Sequence, residues 1–245
     1  MAENIALQLY SVRDLLPKDF DGVIRRVAAM GYTGVETDLS GGSSKNIAAR
    51  LFKELNLKVV ALHIFPPPLG DRFKEAIDTL ALFGCDTIVS GFGPDRYQTL
   101  AATRQACDEF NQAATLAHAA GMQFSIHNHW WEYLPVEGSY PYKVMLERLD
   151  PKVGFEVDTY WVKTGGLDPA LVVKEMGRRA NLLHIKDGPA VRDIPMVAIG
   201  DGILDFPTIL KANKGAAKWL IVEFDWCATD IMAALEKSYQ YLKGL

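Results

Sequence analysis

The chain reads as an α/β protein that folds into a single (β/α)8 TIM barrel over residues 1–245. Three observations carry this. Eight short β-type runs alternate with eight amphipathic helical stretches, which implies parallel pairing through crossovers. Polar residues gather at the carboxyl ends of nearly every run rather than at one switch point. No G-x-G-x-x-G turn follows the first strand, as a doubly wound open sheet would favour.

The first strand spans Ile5–Tyr10, and the helical pattern Phe20–Met30 follows it. That helix stops at Gly31, where a left-handed residue is wanted. Gly34–Thr37 is the second strand and Ser44–Asn56 the second helix. Lys58–His63 then leads to the helix Phe73–Phe83, ended by Gly84. Thr87–Ser90 precedes the longest helical pattern, Gln98–Ala120, ended by Gly121. Gln123–His127 and Tyr142–Leu149 form the fifth unit, and Val153–Asp158 and Pro169–Met176 the sixth. Asp168 before Pro169 is an N-cap with proline at the first helical position. Leu182–Lys186 pairs with Phe206–Ala212, and Lys218–Phe224 with Ile231–Leu242; Asp205 and Thr229-Asp230 give weaker caps. Every helical stretch has apolar residues three and four apart, as one buried face requires.

Composition bounds the function. The chain is 49% hydrophobic and 23% charged, enough apolar material for a large core. A formal net charge of −4 gives no reason to expect nucleic acid, which needs a basic surface. Cys85, Cys107 and Cys227 are odd in number and form no C-x-x-C pair, against a disulfide framework or thiolate metal cage. There is no basic n-region, no signal-like stretch and no run of ~18 apolar residues. A cytoplasmic protein without membrane contact is expected. The exposed helix faces show no seam from which to read an oligomeric state.

In a barrel, functional groups come from the carboxyl ends of strands and the loops after them. Those positions hold Gln8, Glu36, His63, His127, Asn128, His129, Glu132, Asp158, His184, Lys186, Glu223 and Asp225. Asp158, His184 and Glu223 are the sharpest subset, because they end three consecutive strands and so sit side by side on a closed rim. One imidazole and two carboxylates suit Mn²⁺, Co²⁺, Zn²⁺ or Mg²⁺ rather than a soft ion. A fourth ligand would complete a site still open to substrate. Taken singly, each of these residues is as readily a helix cap or a lysine partner; three in register point to a divalent metal ion.

Strand alternation puts His127 and His129 on one face with Ser125, so either is available to point inward. Lys186 shares the face of His184 and is placed to hold a substrate oxygen, or else to pair with Asp158 or Glu156. Glu36 serves either as a base or as a partner for a backbone amide or Arg13. Gln8 and His63 are placed to bind substrate, and Pro66-Pro67-Pro68 stiffens a loop beyond Phe65. Trp130, Trp131, Tyr133, Trp161 and Trp226 fall just past strand ends, where aromatic rings build walls for sugars; two of the five are expected to touch ligand. Gly41-Gly42-Ser43-Ser44 lacks the P-loop arrangement and is read as a turn.

The motifs together resemble one family. Leu7-Gln8-Leu9-Tyr10-Ser11-Val12-Arg13 and Gly34-Val35-Glu36 are similar to the xylose-isomerase-like TIM-barrel superfamily, the sugar phosphate isomerases/epimerases with their inosose dehydratase and abasic-site endonuclease relatives. His127-Asn128-His129-Trp130-Trp131-Glu132-Tyr133 resembles its H-N-H-x-x-E-F segment, Asp158-Thr159-Tyr160-Trp161 its D-T-Y-W segment, and His184-Ile185-Lys186-Asp187 its H-x-K-D segment. Gly200-Asp201-Gly202-Ile203-Leu204-Asp205-Phe206 resembles its G-x-G-x-x-D-F turn, and Ile221-Val222-Glu223 its closing strand. The resemblance runs through nearly the whole chain in order. It implies a divalent metal held at the ends of the fifth to eighth strands, which maps onto Asp158, His184 and Glu223. In many members a glutamate ends the fifth strand as first ligand; here His127 stands there, with Glu132 five residues on. His127 is taken as the fourth ligand, leaving Glu132 as acid or base; if Glu132 is the ligand, the base becomes His129 or Glu36. The compact loops and acidic balance argue against the endonuclease branch.

The implied activity is a sugar or keto-sugar isomerase/epimerase that removes a proton beside a metal-bound carbonyl. Glu132, Lys186 and Glu36 are the catalytic candidates, with Gln8, His63, His129 and Trp161 on the substrate, a small sugar or cyclitol. One alternative is a lyase or dehydratase of the inosose dehydratase or 3-keto-glycoside-cleaving kind. A second is a barrel that binds sugar or a partner enzyme without chemistry. No Arg and Lys cluster marks a phosphate clamp, which favours an unphosphorylated substrate.

Overall fold

A computed structural model describes residues 4–245; the first three residues of the expected 1–245 range lie outside the described ones. Eight parallel strands close in sequence order, with β1 hydrogen-bonded to β8. They are β1 (Ile5–Gln8), β2 (Gly34–Thr37), β3 (Lys58–His63), β4 (Thr87–Ser90), β5 (Gln123–His127), β6 (Gly154–Asp158), β7 (Leu182–Ile185) and β8 (Leu220–Val222). Around them run α1 (Phe20–Met30), α2 (Lys45–Glu54), α3 (Asp71–Phe83), α4 (Leu100–Ala119), α5 (Pro141–Arg148), α6 (Thr159–Thr164), α7 (Pro169–Met176), α8 (Phe206–Asn213) and α9 (Ile231–Lys243). The (β/α)8 barrel expected from the alternation of elements is the fold found.

The differences from expectation are local. β1 stops at Gln8 because the Gln8 side chain accepts a hydrogen bond from the Tyr10 N–H and starts a 3-10 turn over Leu9–Val12. α6 was not anticipated. It begins immediately after β6, where the carboxylate of Asp158 caps it by accepting the Trp161 N–H at 2.8 Å. Its six residues are too few for a periodic pattern to register. β7 and β8 stop one and two residues before the expected Lys186 and Phe224, so Lys186 and Glu223 stand at the rim.

Two packing regions follow. Between strands and helices lies the main core, including Phe110, Phe124, Tyr160, Phe206 and Leu235. Inside the barrel, at the amino-terminal end, Ala6, Val60, Ala61, Val89, Leu182 and Ile221 form a separate apolar plug with Trp219 packed beneath. Gly34 admits that plug, since a Cβ there would lie 2.6 Å from Val60 Cγ1. No helix among the described residues is long and apolar enough to cross a membrane.

Candidate active site

Above the plug, β5 to β8 turn alternate residues inward, and the sequence makes each of those polar. β5 leads from Ser125 to His127 and His129, and β6 from Gly154 to Glu156 and Asp158; β7 leads from Leu182 to His184 and Lys186, and β8 from Ile221 to Glu223 and Asp225. The stagger of the closed sheet sets His127 level with Glu156, and Asp158 level with His184.

His127, Asp158, His184 and Glu223 each offer one ligand atom, all within 4.8 Å of one another. All four are buried. His184 Nδ1 lies 2.8 Å from Glu223 Oε2, and its Nε2 lies 2.6 Å from Glu36 Oε2 and 3.0 Å from Glu156 Oε2. Lys186 Nζ is 3.1 Å from Asp158 Oδ2, 2.8 Å from Glu223 Oε2 and 2.6 Å from Asp225 Oδ2. Apart from that ion pair with Lys186, Asp158 Oδ2 has no hydrogen-bond partner.

The charges explain one another. Burial opposes the imidazolium of His184, but Glu156, Glu36 and Glu223 outweigh it and hold its pKa well above the ordinary value. Burial likewise opposes the ammonium of Lys186, and Asp158, Asp225 and Glu223 keep it charged. Burial pushes Asp158 up to about 6 against the pull of Lys186 and His184. Glu36 rises to about 7 through burial and the adjacent charge of Glu156. Burial drives His127 down to about 3, and His129 falls well below its usual value through burial beside His127 and Lys186. Both are therefore neutral, as ligands or proton acceptors must be. The carboxylates of Glu156, Asp158, Glu223 and Asp225 face Lys186 and His184, with His63 also at Glu156, and a proton on His184 Nδ1 sits where a metal would bind. Two imidazoles and two carboxylates around this negative surplus fit a divalent cation of borderline or hard character.

A cavity of about 510 Å³ opens over this cluster. Gln8, Thr37, Asp38, Ser40, His63, His127, His129, Lys186, Glu223 and Asp225 line it with polar groups, while Leu9, Tyr10, Leu16 and Pro17 after β1 and Phe65 after β3 give it an apolar side. A Cβ at Gly91 would fall 2.1 Å from the Phe65 ring, so glycine there lets that ring reach the cavity. Arg13 braces the apolar side, donating to the carbonyls of Tyr10 at 2.8 Å and Asp225 at 2.6 Å.

Several expectations need correction. Glu132 does not line the cavity; it is enclosed, with Oε2 accepting the His129 N–H at 3.0 Å and Oε1 unpartnered. Burial lifts its pKa to about 8 despite that bond. Glu36 also lies beneath the cavity, bonded by Gln8 Nε2 at 2.8 Å and by His184, not by Arg13. Trp161 is only 2% exposed and carries Lys186 Nζ 5.2 Å above its ring. None of the five aromatic residues past the strand ends is a cavity wall. Trp131 stacks on His129 at 4.2 Å, and Trp130 packs against Trp131 and Trp161, so these rings brace the polar side from behind. Tyr10 and Phe65 are the aromatic walls instead.

Glu156, expected only as an alternative partner of Lys186, instead meets His63, His127 and His184, while Lys186 pairs with Asp158. It is absent from the set of strand-end residues because it sits two residues inside β6. The signal was present: residue i−2 from Asp158 shares its face. Asp187 is a structural anchor. Its carboxylate accepts the N–H groups of Gly188, Gly200, Gly202 and Leu204 at 2.9, 2.9, 3.0 and 3.3 Å, folding the Gly200–Phe206 turn back onto β7.

Comparison with known proteins agrees with this architecture. No curated protein sequence matches the chain significantly. Among solved structures, a sugar phosphate isomerase/epimerase from Parabacteroides distasonis is 25% identical, covering 99% of this chain and 94% of its own, with a TM-score of 0.86. A probable 3-DHS dehydratase, AsbF, from Bacillus anthracis shares the fold at 13% identity over 98% of both chains, with a TM-score of 0.78. An IOLI protein with a binding zinc atom does so at 15% identity over 98% of this chain and 97% of its own, with a TM-score of 0.73. The model of the xylose isomerase-like TIM barrel family matches residues 24–245. The chain belongs to the xylose isomerase-like TIM barrel family.

Proposed function

We propose that the protein is a divalent-metal-dependent isomerase or epimerase of a sugar or keto-sugar, working by proton removal beside a carbonyl. The observation that carries this reading is the four-residue ligand set His127, Asp158, His184 and Glu223 under a cavity that also presents charged Lys186. A divalent ion held by those four residues would supply Lewis acidity to a substrate carbonyl and acidify the neighbouring C–H. Lys186 Nζ, charged and fixed by three carboxylates, meets negative charge as it develops on a substrate oxygen. Neutral His129, on the cavity wall, accepts the proton from carbon and returns it. Gln8 and His63, on the same polar lining, hold substrate hydroxyls. Glu36 and Glu132 lie behind this layer and shape its charge without touching substrate.

A second reading, elimination, is favoured by the shape of the cavity. Its apolar side, from Leu9 to Pro17 and Phe65, leaves room beyond the reacting ring for an attached group. The same proton removal followed by loss of a β-substituent would make the protein a dehydratase or a keto-glycoside lyase.

Incubation with ketoses, inososes and 3-keto-glycosides in D₂O separates the outcomes. Deuterium at the α-carbon of an otherwise rearranged sugar supports the isomerase or epimerase. Release of water or aglycone supports elimination. No exchange at any α-carbon, with metal supplied, removes proton abstraction as the chemistry.

A further inference from the structure

One carboxylate oxygen beneath the candidate ligands collects three imidazoles. Glu156 Oε2 lies 3.0 Å from His127 Nδ1, 3.0 Å from His184 Nε2 and 3.1 Å from His63 Nε2. Glu156 is fully buried, and no other cation reaches that oxygen among the described residues. His127 Nδ1 and His63 Nε2 are hydrogen-bonded to that oxygen. His184 directs its Nε2–H at Glu36 Oε2, 2.6 Å away, with Glu156 beside the same nitrogen as an ion-pair partner, so each of the three nitrogens carries its proton on this side. A bound metal would displace the second proton that His184 carries without it, leaving each ring neutral with one N–H and its opposite nitrogen presenting a lone pair. That nitrogen is Nε2 in His127 and Nδ1 in His184, the one already beside Glu223.

We propose that Glu156 is the positioning residue of the metal centre, fixing the tautomer and ring orientation of both histidine ligands from below. The proposal rests on the metal-site reading of His127, Asp158, His184 and Glu223. Ligating histidines generally hand their other N–H to a carboxylate, and losing that partner weakens metal binding ~10–100-fold. Here a single carboxylate serves two ligands from adjacent strands. β6 supplies it because its inward residues alternate, placing a ligand at Asp158 and the support for its neighbours two residues earlier. Glu36 shares the task at His184, taking its Nε2 hydrogen bond at 2.6 Å, but only Glu156 reaches both His184 and His127. His63 is the third arm: Glu156 holds its Nε2, and the ring still lines the cavity. The same four residues, His63, His127, Glu156 and His184, also lie close enough to ligate an ion themselves. That use would demand opposite nitrogens of His127 and His184 from those the upper site needs, so one occupied site excludes the other unless both rings bridge two ions.

The test titrates chelator-treated protein with Zn²⁺ and Co²⁺, comparing the parent, Glu156→Gln and Glu36→Gln by affinity, stoichiometry and Co²⁺ visible absorption. The expected result is one equivalent bound by all three proteins. Glu156→Gln should bind ~10–100-fold more weakly with an altered Co²⁺ spectrum, and Glu36→Gln should lose less. Long-range ¹H–¹⁵N spectra of the Zn²⁺-loaded parent give a readout that needs no variant: the ring proton should sit on Nδ1 of His127 and on Nε2 of His184. Unchanged affinity in Glu156→Gln, or the opposite tautomers in the parent, overturns the positioning role while leaving the metal site standing. Two equivalents in the parent, with one lost in Glu156→Gln, makes Glu156 a ligand of a second ion and overturns it too. A parent that binds no metal overturns the metal reading, and the positioning role with it.

Discussion

The two ends of the barrel interior are enclosed by the same closed sheet and obey opposite rules. At the amino-terminal end, Ala6, Val60, Ala61, Val89, Leu182 and Ile221 fill the space with apolar side chains and need no partners. Two residues beyond Ala6, Ala61, Leu182 and Ile221 stand Gln8, His63, His184 and Glu223, joined by Glu36, His127 and Glu156 from β2, β5 and β6, all groups that cost desolvation and survive only because they are paired. The plug holds the sheet closed, and the charged layer uses the closure. Substitution at one end should therefore cost stability without touching chemistry, and at the other should remove chemistry whatever it does to stability.

The largest effect is expected at the upper layer. Asp158→Ala with His184→Ala should lower turnover of whichever substrate the D₂O screen identifies by more than about 10³-fold, from loss of metal-centred charge stabilisation and proton transfer together. Activity within tenfold of the parent would contradict the division. At the plug, Leu182→Ala should lower unfolding free energy by about 2–5 kcal/mol, measured by urea denaturation. Its activity per folded molecule should stay near the parent's, and a loss of turnover larger than the loss of folded protein would show that the two ends are coupled.

Glu132 gives a pH test of the bracing shell behind the charged layer. Its carboxyl is raised by burial to about 8 in the folded protein. The folded state therefore holds a proton there that the unfolded chain has released above ordinary carboxylate pH. Stability should be greatest below that range and fall as pH climbs toward 8, by a contribution on the order of a few kcal/mol. Thermal melts from pH 5 to 9 should show this decline, and Glu132→Gln should flatten it. A parent whose stability rises over that interval while the variant's does not would reverse the sign and the assignment. The smallest effect is expected on the apolar side of the cavity. Tyr10, 51% exposed, packs under Arg13 at 4.0 Å, and Tyr10→Ala should raise KM ~2–10-fold with little change in melting temperature.

The sequence made the architecture legible because a repeating strand–helix alternation leaves few ways to pack, and because Gly31, Gly84, Asp168 and Asp205 mark boundaries with local chemistry. Short elements were not legible: α6 depends on one capping carboxylate at Asp158, and the 3-10 turn after β1 on Gln8. At the site, residues at strand ends were visible as a set, and the structure brings Asp158, His184 and Glu223 together with His127. Depth was not visible. Glu132 and Trp161 sit at the right place along the chain, but a 3-10 turn after β5 and helix α6 fold them behind His129 and Lys186 instead of into the cavity. Glu156 is read from sequence only as an alternative partner of Lys186, since it lies inside a strand and alternation alone assigns its face; its partners are His63, His127 and His184. The apolar wall of Leu16, Pro17 and Phe65 comes from loops whose path no local pattern specifies.

The most direct measurement is metal content by mass spectrometry on the purified protein, run beside the Asp158→Ala/His184→Ala double variant. The expected result is near one equivalent of Mn, Co or Zn in the parent, retained through dialysis and lost in the variant. A parent that holds no metal after incubation with Mn²⁺, Co²⁺ and Zn²⁺, or a double variant that binds as tightly as the parent, would contradict the metal centre on which the proposed chemistry stands.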